Sequence, residues 1–229
     1  MDFTQFEKII GLNFSNKDVL KQAFVHRSYI NENKASGLSH NERLEFLGDA
    51  VLELVITDFL YNKYSDKQEG ELTAYRSALV NADTCAGIAT GLGMGDYLLL
   101  SKGESKDVGR ARQYILANAL EALIGAIYID QGYDATKGFI EKNFTPLIES
   151  IISEKSFIDA KSLFQEKAQE FDGVTPSYKT VKESGLDHEK KFTVGVYVGK
   201  DLIATGEGES KQEAEQMAAK SALEVRGWN

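Results

Sequence analysis

The pattern of hydrophobic and polar positions divides the chain into two parts. Over roughly the first 157 residues, apolar residues recur at spacings of three and four, which is typical of amphipathic helices. These recurrences cover residues 3–10, 19–25, 44–60, 72–88 and 115–129. A last helix is predicted over residues 139–152, beginning or bending near Pro146, and the polar residues 153–156 are predicted to be a linker. No segment of this part alternates as a strand would, so an all-α domain is predicted over residues 1–152.

The second part of the chain, residues 157–227, has a different periodicity. Residues 160–171 follow a helical pattern, and then four apolar residues alternate with polar or small ones, as in a strand with one buried face: Phe192, Val194, Val196 and Val198. Residues 199–201 predict a turn, and residues 202–206 predict the returning strand. Ser210 and Glu213 have the spacing of a capping box at the start of an alanine-rich helix, which can lie close to a sheet. The predicted order is α-β-β-β-α, a small α+β domain.

The composition limits which partners and which cellular location can be expected for the chain. The formal net charge is −9, with 16 Lys and Arg against 22 Asp and Glu in residues 1–157, and 10 against 13 in residues 158–229. Nucleic-acid binding would therefore depend on clustered bases, helix N-termini and metal ions, and would be sensitive to salt. Cys85 is the single cysteine, the acidic N-terminal segment lacks the pattern of a signal peptide, and the longest apolar stretch is residues 122–129. These features predict a cytoplasmic protein without a membrane association.

Two predicted helices carry polar residues where an apolar helix should have none. Glu42, Glu45 and Asp49 lie at i, i+3 and i+7 and so share one face of the first helix. Asn118 and Glu121 lie at i and i+3 on the second. Buried carboxylates cost several kcal/mol unless a cation or hydrogen bonds compensate. The two faces could therefore meet around a hard cation, and oxygen ligands alone favour Mg²⁺.

The three acids of the first helix have ordinary alternatives. Glu42 could belong to a capping box with Ser39. Glu45 and Asp49 could instead form ion pairs with an arginine, the candidates being Arg43, Arg110 and Arg112. These readings require no metal.

The second helix has alternatives as well. Asn118 could be a hydrogen-bonded amide in the core, and Glu121 could be a structural ion pair. A di-iron carboxylate site is disfavoured, because such a site needs Glu-x-x-His pairs. In this chain Glu121 is followed at i+3 by Ile124, and Glu45 by Gly48.

A contiguous motif gives these acids a family context. Residues 41–54, NERLEFLGDAVLEL, resemble the signature helix of the ribonuclease III family. Further similar segments are AFVHRSYINE at 23–32, QEGEL at 68–72, LLLSKGESKDVGRAR at 98–112 and ILANALEALIGAIYID at 115–130. Residues 157–226 resemble the double-stranded RNA-binding domain of the same family. The resemblance covers nearly the whole chain.

The resemblance implies a homodimeric endonuclease that hydrolyses double-stranded RNA with Mg²⁺, for which Mn²⁺ can substitute. Its implied products carry 5′-phosphate and 3′-hydroxyl ends with short 3′ overhangs, and its implied substrates are ribosomal and other structured RNA precursors. The implied metal ligands are Glu45, Asn118 and Glu121, and Asp49 would join Glu121 in activating water. Bacterial members usually carry Asp where this chain has Asn118, so one negative charge is lost.

Further residues receive expected roles from the same resemblance. Glu42 and Glu69 are expected to support the catalytic site. Phe46 is expected in a dimer interface formed by the signature helix, the alternative being ordinary core packing. The expected RNA contacts are Gln165, Glu166, His188, Ser210 and Lys211.

The RNA contacts also have alternatives. Gln165 and Glu166 could be exposed polar residues without a partner, and Lys211 could be a solvated lysine. Many relatives have two adjacent basic residues where this chain has Lys211 and Gln212, so weak RNA binding is expected. A double-stranded RNA-binding regulator that does not cleave is the competing hypothesis for function.

Overall fold

The computed structural model describes residues 2–106, 109–153, 160–185 and 190–228. The chain forms two compact units, Met1–Phe157 and Ile158–Asn229. Within the described ranges, the first unit is helical apart from one isolated bridge between Val25 and Leu99, and the second combines two helices with a three-stranded sheet. The predicted fold class is therefore confirmed. Among the same described residues, no helix is long and apolar enough to cross a membrane.

The first unit contains eight α-helices in its described part. They are α1 (Thr4–Ile10), α2 (Lys17–Ala23), α3 (Arg27–Glu32), α4 (Glu42–Lys63), α5 (Glu69–Leu79), α6 (Ala82–Gly91), α7 (Arg110–Phe144) and α8 (Ile148–Ser153). Helices α4 and α7 pack against each other in the core, where the side chains of Leu52, Ile56, Leu120 and Leu123 are completely buried. The surrounding helices cover this pair. The packing of α4 against α7 therefore fixes the positions of the polar residues that the two helices carry.

Two helix boundaries differ from the prediction. The apolar pattern over residues 72–88 covers two helices, because Asn81 starts α6 by accepting a hydrogen bond from the backbone N–H of Thr84 (2.9 Å). Of the segment predicted as a last helix, residues 139–144 belong to α7. That helix is interrupted at Gly132, whose φ of +80° favours glycine. Pro146 lies in a short 3₁₀ turn between α7 and α8, and α8, the last helix of this unit, begins two residues after it at Ile148, so the start predicted near Pro146 is present.

The second unit has the predicted order. Its elements are α9 (Ala160–Asp172), β1 (Ser177–Ser184), β2 (Lys191–Val198), β3 (Asp201–Gly208) and α10 (Lys211–Arg226), and the sheet is antiparallel with order β1-β2-β3. The alternating residues Val194, Val196 and Val198 are buried, as predicted.

Helix α10 lies unusually close to β3. Its four alanines, Ala214, Ala218, Ala219 and Ala222, are fully buried. A Cβ at Gly206 would lie 2.1 Å from the backbone nitrogen of Ala218, so glycine is required there. The close approach fixes the N-terminus of α10 next to the sheet.

Candidate active site

The acidic residues are brought together by a direct crossing of two helix backbones. A Cβ at Gly48 of α4 would lie 1.7 Å from the carbonyl oxygen of Glu121, and a Cβ at Gly125 of α7 would lie 2.2 Å from that of Leu44. Because no side chain separates the helices at this point, residues within one turn of the two glycines become neighbours. Glu45 and Asp49 flank Gly48, and Glu121 lies one turn before Gly125.

The polar residues lie at the edge of this crossing and are less buried than predicted. Glu45 and Glu121 are half-buried, whereas Asp49 and Asn118 are exposed. They are less buried because the apolar residues of α4 form the centre of its buried face, and the acidic residues lie at the edge of that face. The alternative of Asn118 as a hydrogen-bonded core amide is therefore wrong. An opening to solvent at this margin suits a large substrate.

Charges within the site repel one another. Burial, followed by the charges of Asp49 and Glu45, raises the pKa of Glu121 to about 7. Burial, with Glu42 and Asp49, also raises the pKa of Glu45. In the described part of the chain, no Lys, Arg or His lies within 4.0 Å of the carboxylates of Glu45, Asp49 or Glu121. The predicted alternatives, an arginine pair for Glu45 and Asp49 and a structural ion pair for Glu121, are thus wrong.

Glu42 and Glu69 occupy other environments. Glu42 is the first residue of α4, pairs with Arg27 (3.1 Å) and lies 3.8 Å from His40, so its proposed capping box with Ser39 is wrong. Glu69 begins α5 and accepts a hydrogen bond from the hydroxyl of Thr73 (3.3 Å). It lines a separate cavity of about 450 Å³ beside the C-terminal half of α4. Glu42 therefore lies at the margin of the acidic cluster, where its charge raises the pKa of Glu45. Glu69 does not lie in the cluster.

The donor set fits a hard divalent cation. Glu45, Glu121 and Asn118 can offer oxygen ligands, and the pKa of Glu121 is raised first by burial and then by the charges of Asp49 and Glu45, which a bound cation would offset. In the described ranges, no group of three or more His, Cys, Asp or Glu side chains is placed so that these side chains alone could hold a metal ion. An ion held by few protein ligands, with water and phosphate oxygens completing its coordination, is the usual arrangement for Mg²⁺.

A large aromatic residue next to the site is exposed. Phe46 of α4 is 82% exposed, so the alternative of ordinary core packing is wrong. Beside it lies a depression of about 600 Å³ whose lining includes Val19, His40, Leu47 and Ile129. An exposed aromatic ring next to a depression is suited to a contact with another molecule.

The second unit exposes most of the predicted RNA contacts. Gln165 and Glu166 are exposed on α9. Ser210 caps α10, because its hydroxyl oxygen accepts a hydrogen bond from the Glu213 N–H (3.1 Å), and Lys211 is exposed at the same helix end. The predicted capping box is only half correct, since the Glu213 carboxylate accepts from the Glu209 N–H (2.8 Å). His188 lies outside the described residues.

Sequence reasoning missed Gly125 as the partner of Gly48. Glycine costs about 1 kcal/mol relative to alanine inside a helix, so a single glycine in the apolar run of α7 was the available signal. It also missed Cys85, which is buried near the cluster. Burial raises the pKa of Cys85 to about 12, with smaller contributions from Glu121 and Asp49, so the thiol stays protonated.

An open acidic site on a helical unit, followed by an α-β-β-β-α unit, defines a hydrolytic nuclease that carries an RNA-binding module. Residues 16–148 match the family model described as ribonuclease-III-like, and residues 160–226 match the double-stranded RNA-binding motif. The chain belongs to the ribonuclease III family, whose members generally depend on a divalent metal. It is a double-stranded-RNA-specific endoribonuclease. The expectation drawn from residues 41–54 is thereby confirmed.

Individual relatives cover almost the full length of the chain. It is 45% identical to ribonuclease 3 of Borreliella burgdorferi, over 97% of this chain and 90% of the relative. It is also 45% identical to ribonuclease 3 of Streptococcus thermophilus, over 97% of both chains. Among solved structures, the nuclease domain of ribonuclease III from Campylobacter jejuni aligns with a TM-score of 0.56 and 39% identity. That alignment covers 63% of this chain and 99% of the solved one.

Proposed function

We propose that this endoribonuclease uses Mg²⁺, for which Mn²⁺ can substitute, and leaves 5′-phosphate and 3′-hydroxyl ends with short 3′ overhangs. The observation that carries the proposal is the crossing at Gly48 and Gly125, which gathers oxygen ligands without a protein cation to balance them. Catalysis is assigned to residues 1–152 and RNA binding to residues 157–227. The two compact units support this division. A cytoplasmic location, and ribosomal and other structured RNA precursors as substrates, belong to the same proposal.

The residues at the crossing have separate roles. Glu45, Asn118 and Glu121 hold the ion, and Glu42 supports Glu45 from the start of α4. Glu69 is assigned a supporting role as part of the QEGEL segment. When bound, Mg²⁺ would orient the scissile phosphate and stabilise the negative charge that develops there.

The chemical step is a hydrolysis. Asp49 is exposed beside Glu121, where both carboxylates can accept the proton of an attacking water. The water oxygen bonds to phosphorus while the bond to the 3′ oxygen breaks. That oxygen takes up a proton from solvent, which balances the proton that the carboxylates accept from the attacking water. The cut strand is thereby divided into a fragment that ends in a 3′-hydroxyl and a fragment that begins with a 5′-phosphate.

Metal dependence is the direct test of the proposal. Long double-stranded RNA should be cut into short duplexes with Mg²⁺, and should remain intact with a chelator. Because a proton competes with the metal for Glu121, the Mg²⁺ concentration giving half-maximal rate should be lower at about pH 8 than at about pH 6. Gel analysis of the products and phosphatase sensitivity of their ends are the measurements. RNA that is bound but not cut under all of these conditions would contradict the proposal.

Asn118 gives a second test, because its side chain keeps the ligand oxygen and lacks the charge. Asn118→Asp adds a negative charge next to the cation, and Coulomb attraction should raise the affinity for Mg²⁺. Half-maximal cleavage should then need severalfold less Mg²⁺. The matched control is Asn143→Asp, a change of the same kind far along α7. A midpoint unchanged in Asn118→Asp removes Asn118 from the metal site.

A homodimer is also part of the proposal. The C. jejuni nuclease domain is described as having a region involved in dimer formation. In this chain the support is Phe46, exposed beside a depression of about 600 Å³. A twofold interface uses the same patch on both copies, so each Phe46 can fill the depression of the other. Two acidic sites would then face opposite strands of one duplex, which explains the staggered ends.

Phe46→Glu should convert the dimer to a monomer. Burial of one phenylalanine contributes about 2 kcal/mol and occurs twice in a twofold dimer, so the dissociation constant should rise at least about a hundredfold. The control is Val225→Glu on α10, where a residue that is 68% exposed lies in the second unit. Sedimentation equilibrium measures the effect. A Phe46→Glu variant that remains dimeric would place the interface elsewhere.

A further inference from the structure

One acidic side chain of the second unit lies between two lysines at the N-terminus of α10. The carboxylate of Glu183 on β1 is 3.1 Å from the Lys190 ammonium and 3.2 Å from the Lys211 ammonium. Both ammonium groups lie over the ring of Phe192, at 5.8 and 5.5 Å from its centroid. Hydrogen bonds from Lys190 and then Lys211 lower the pKa of Glu183, so it is ionised at neutral pH. Lys211 is thus not a free phosphate ligand.

Among the described residues, the first turn of α10 also carries acidic side chains. Glu213 lies in the first turn of α10 and accepts a hydrogen bond from the N–H of Glu209, which is itself acidic. Carboxylates at a helix N-terminus occupy the electrostatic position that a phosphate would take.

We propose that Glu183 competes with RNA phosphate for Lys190 and Lys211 and thereby limits the affinity of the second unit for double-stranded RNA. The inference rests on the proposed function in one respect, that Lys211 contacts RNA. A phosphate approaching this helix end must displace the carboxylate or share the ammonium groups with it. The ion pairs are open to solvent, with Glu183 37% and Lys211 58% exposed, so each is weak enough for phosphate to exchange with it. Glu183 therefore determines how tightly RNA is held without preventing its entry.

Glu183→Gln tests the competition with little structural change. Glutamine keeps the shape of the side chain and the pairing of residue 183 with Phe192 in the sheet. The matched control is Glu224→Gln, which removes the same charge at the opposite end of α10. Binding of the full-length variants to a labelled duplex of about 30 base pairs is measured by fluorescence anisotropy with a chelator present. Glu183→Gln should bind about threefold more tightly, the size expected for an exposed ion pair, and the control should change little.

A double-mutant cycle identifies the cause. The affinity gained through Glu183→Gln is measured once in the original chain and once in a variant that carries both Lys190→Met and Lys211→Met. If Glu183 acts by occupying the lysines, the gain should largely disappear in the variant without them. A gain that persists without the lysines would mean that Glu183 simply repels RNA, and would overturn the inference. The inference is also overturned if Glu183→Gln gains no more than Glu224→Gln. A chain that binds no duplex in any variant would instead reject the proposed RNA contact itself, and the inference with it.

Discussion

Replacing Glu121 with alanine should lower the rate of double-stranded RNA cleavage by orders of magnitude and leave RNA binding intact. Burial, followed by the charges of Asp49 and Glu45, raises the pKa of Glu121 to about 7. In the proposed mechanism, its removal would take away a ligand of the divalent ion, and with it the stabilisation of the developing phosphate charge. Single-turnover rates at saturating Mg²⁺, and duplex binding with a chelator, separate catalysis from binding.

The matched control for this variant is on the same helix. Glu141→Ala removes a carboxylate of α7 that lies 3.8 Å from Lys137, away from the helix crossing. Its cleavage rate should stay near that of the original chain. A Glu121→Ala variant that turns over at the control's rate would remove Glu121 from the catalytic site.

The thermal stability of the metal-free protein tests the assignment of Glu121 to the site without a measurement of activity. The pKa of Glu121 is raised in the folded chain, so folding favours its protonated form. Its contribution to the free energy of unfolding is therefore present at low pH and is lost as pH rises toward and through about 7. Glu121→Gln has no charge to gain, so its melting temperature should rise relative to the original chain between about pH 5 and pH 8. Added Mg²⁺ should reduce this difference at pH 8.

The sequence was sufficient to predict which acidic and amide residues share a face of each helix, because helix geometry is local. Spacings of three, four and seven place Glu45 with Asp49 and Asn118 with Glu121 whatever the rest of the chain does. The depth of these residues was not predictable in the same way. It depends on where the partner helix lies, and the contact through Gly48 leaves Asp49 and Asn118 in solvent.

The residues that sequence reasoning misplaced make contacts between distant parts of the chain. Glu42 pairs with Arg27, fifteen positions earlier, instead of the nearby Ser39. Lys211, predicted as an RNA contact or a solvated lysine, pairs with Glu183 of β1, a contact created by the packing of α10 beside the sheet. Local spacing predicts elements and faces, whereas an ion pair between elements is decided by packing.

Gly48→Ala should disrupt both the fold of the first unit and the active site. The added methyl carbon would overlap the Glu121 carbonyl oxygen, at 1.7 Å, and that oxygen belongs to backbone that cannot rotate away. Helices α4 and α7 would have to separate, at a cost of about 1–3 kcal/mol or more. The matched control is Gly138→Ala on α7, where nothing lies within 4 Å of the new Cβ and alanine should slightly stabilise the helix.

Thermal melting and cleavage together show what the crossing does. If close contact at Gly48 positions the ligands, Gly48→Ala should melt at a lower temperature. Below that transition, where the chain is still folded, it should cut far more slowly, because separation of the helices moves Glu45 and Asp49 away from Glu121. Raising Mg²⁺ should restore only part of the rate, since the ligands no longer meet. Cleavage at the full rate by a folded Gly48→Ala variant would contradict this prediction. It would show that the acidic residues act without the close crossing and that Gly48 matters only for packing in the core.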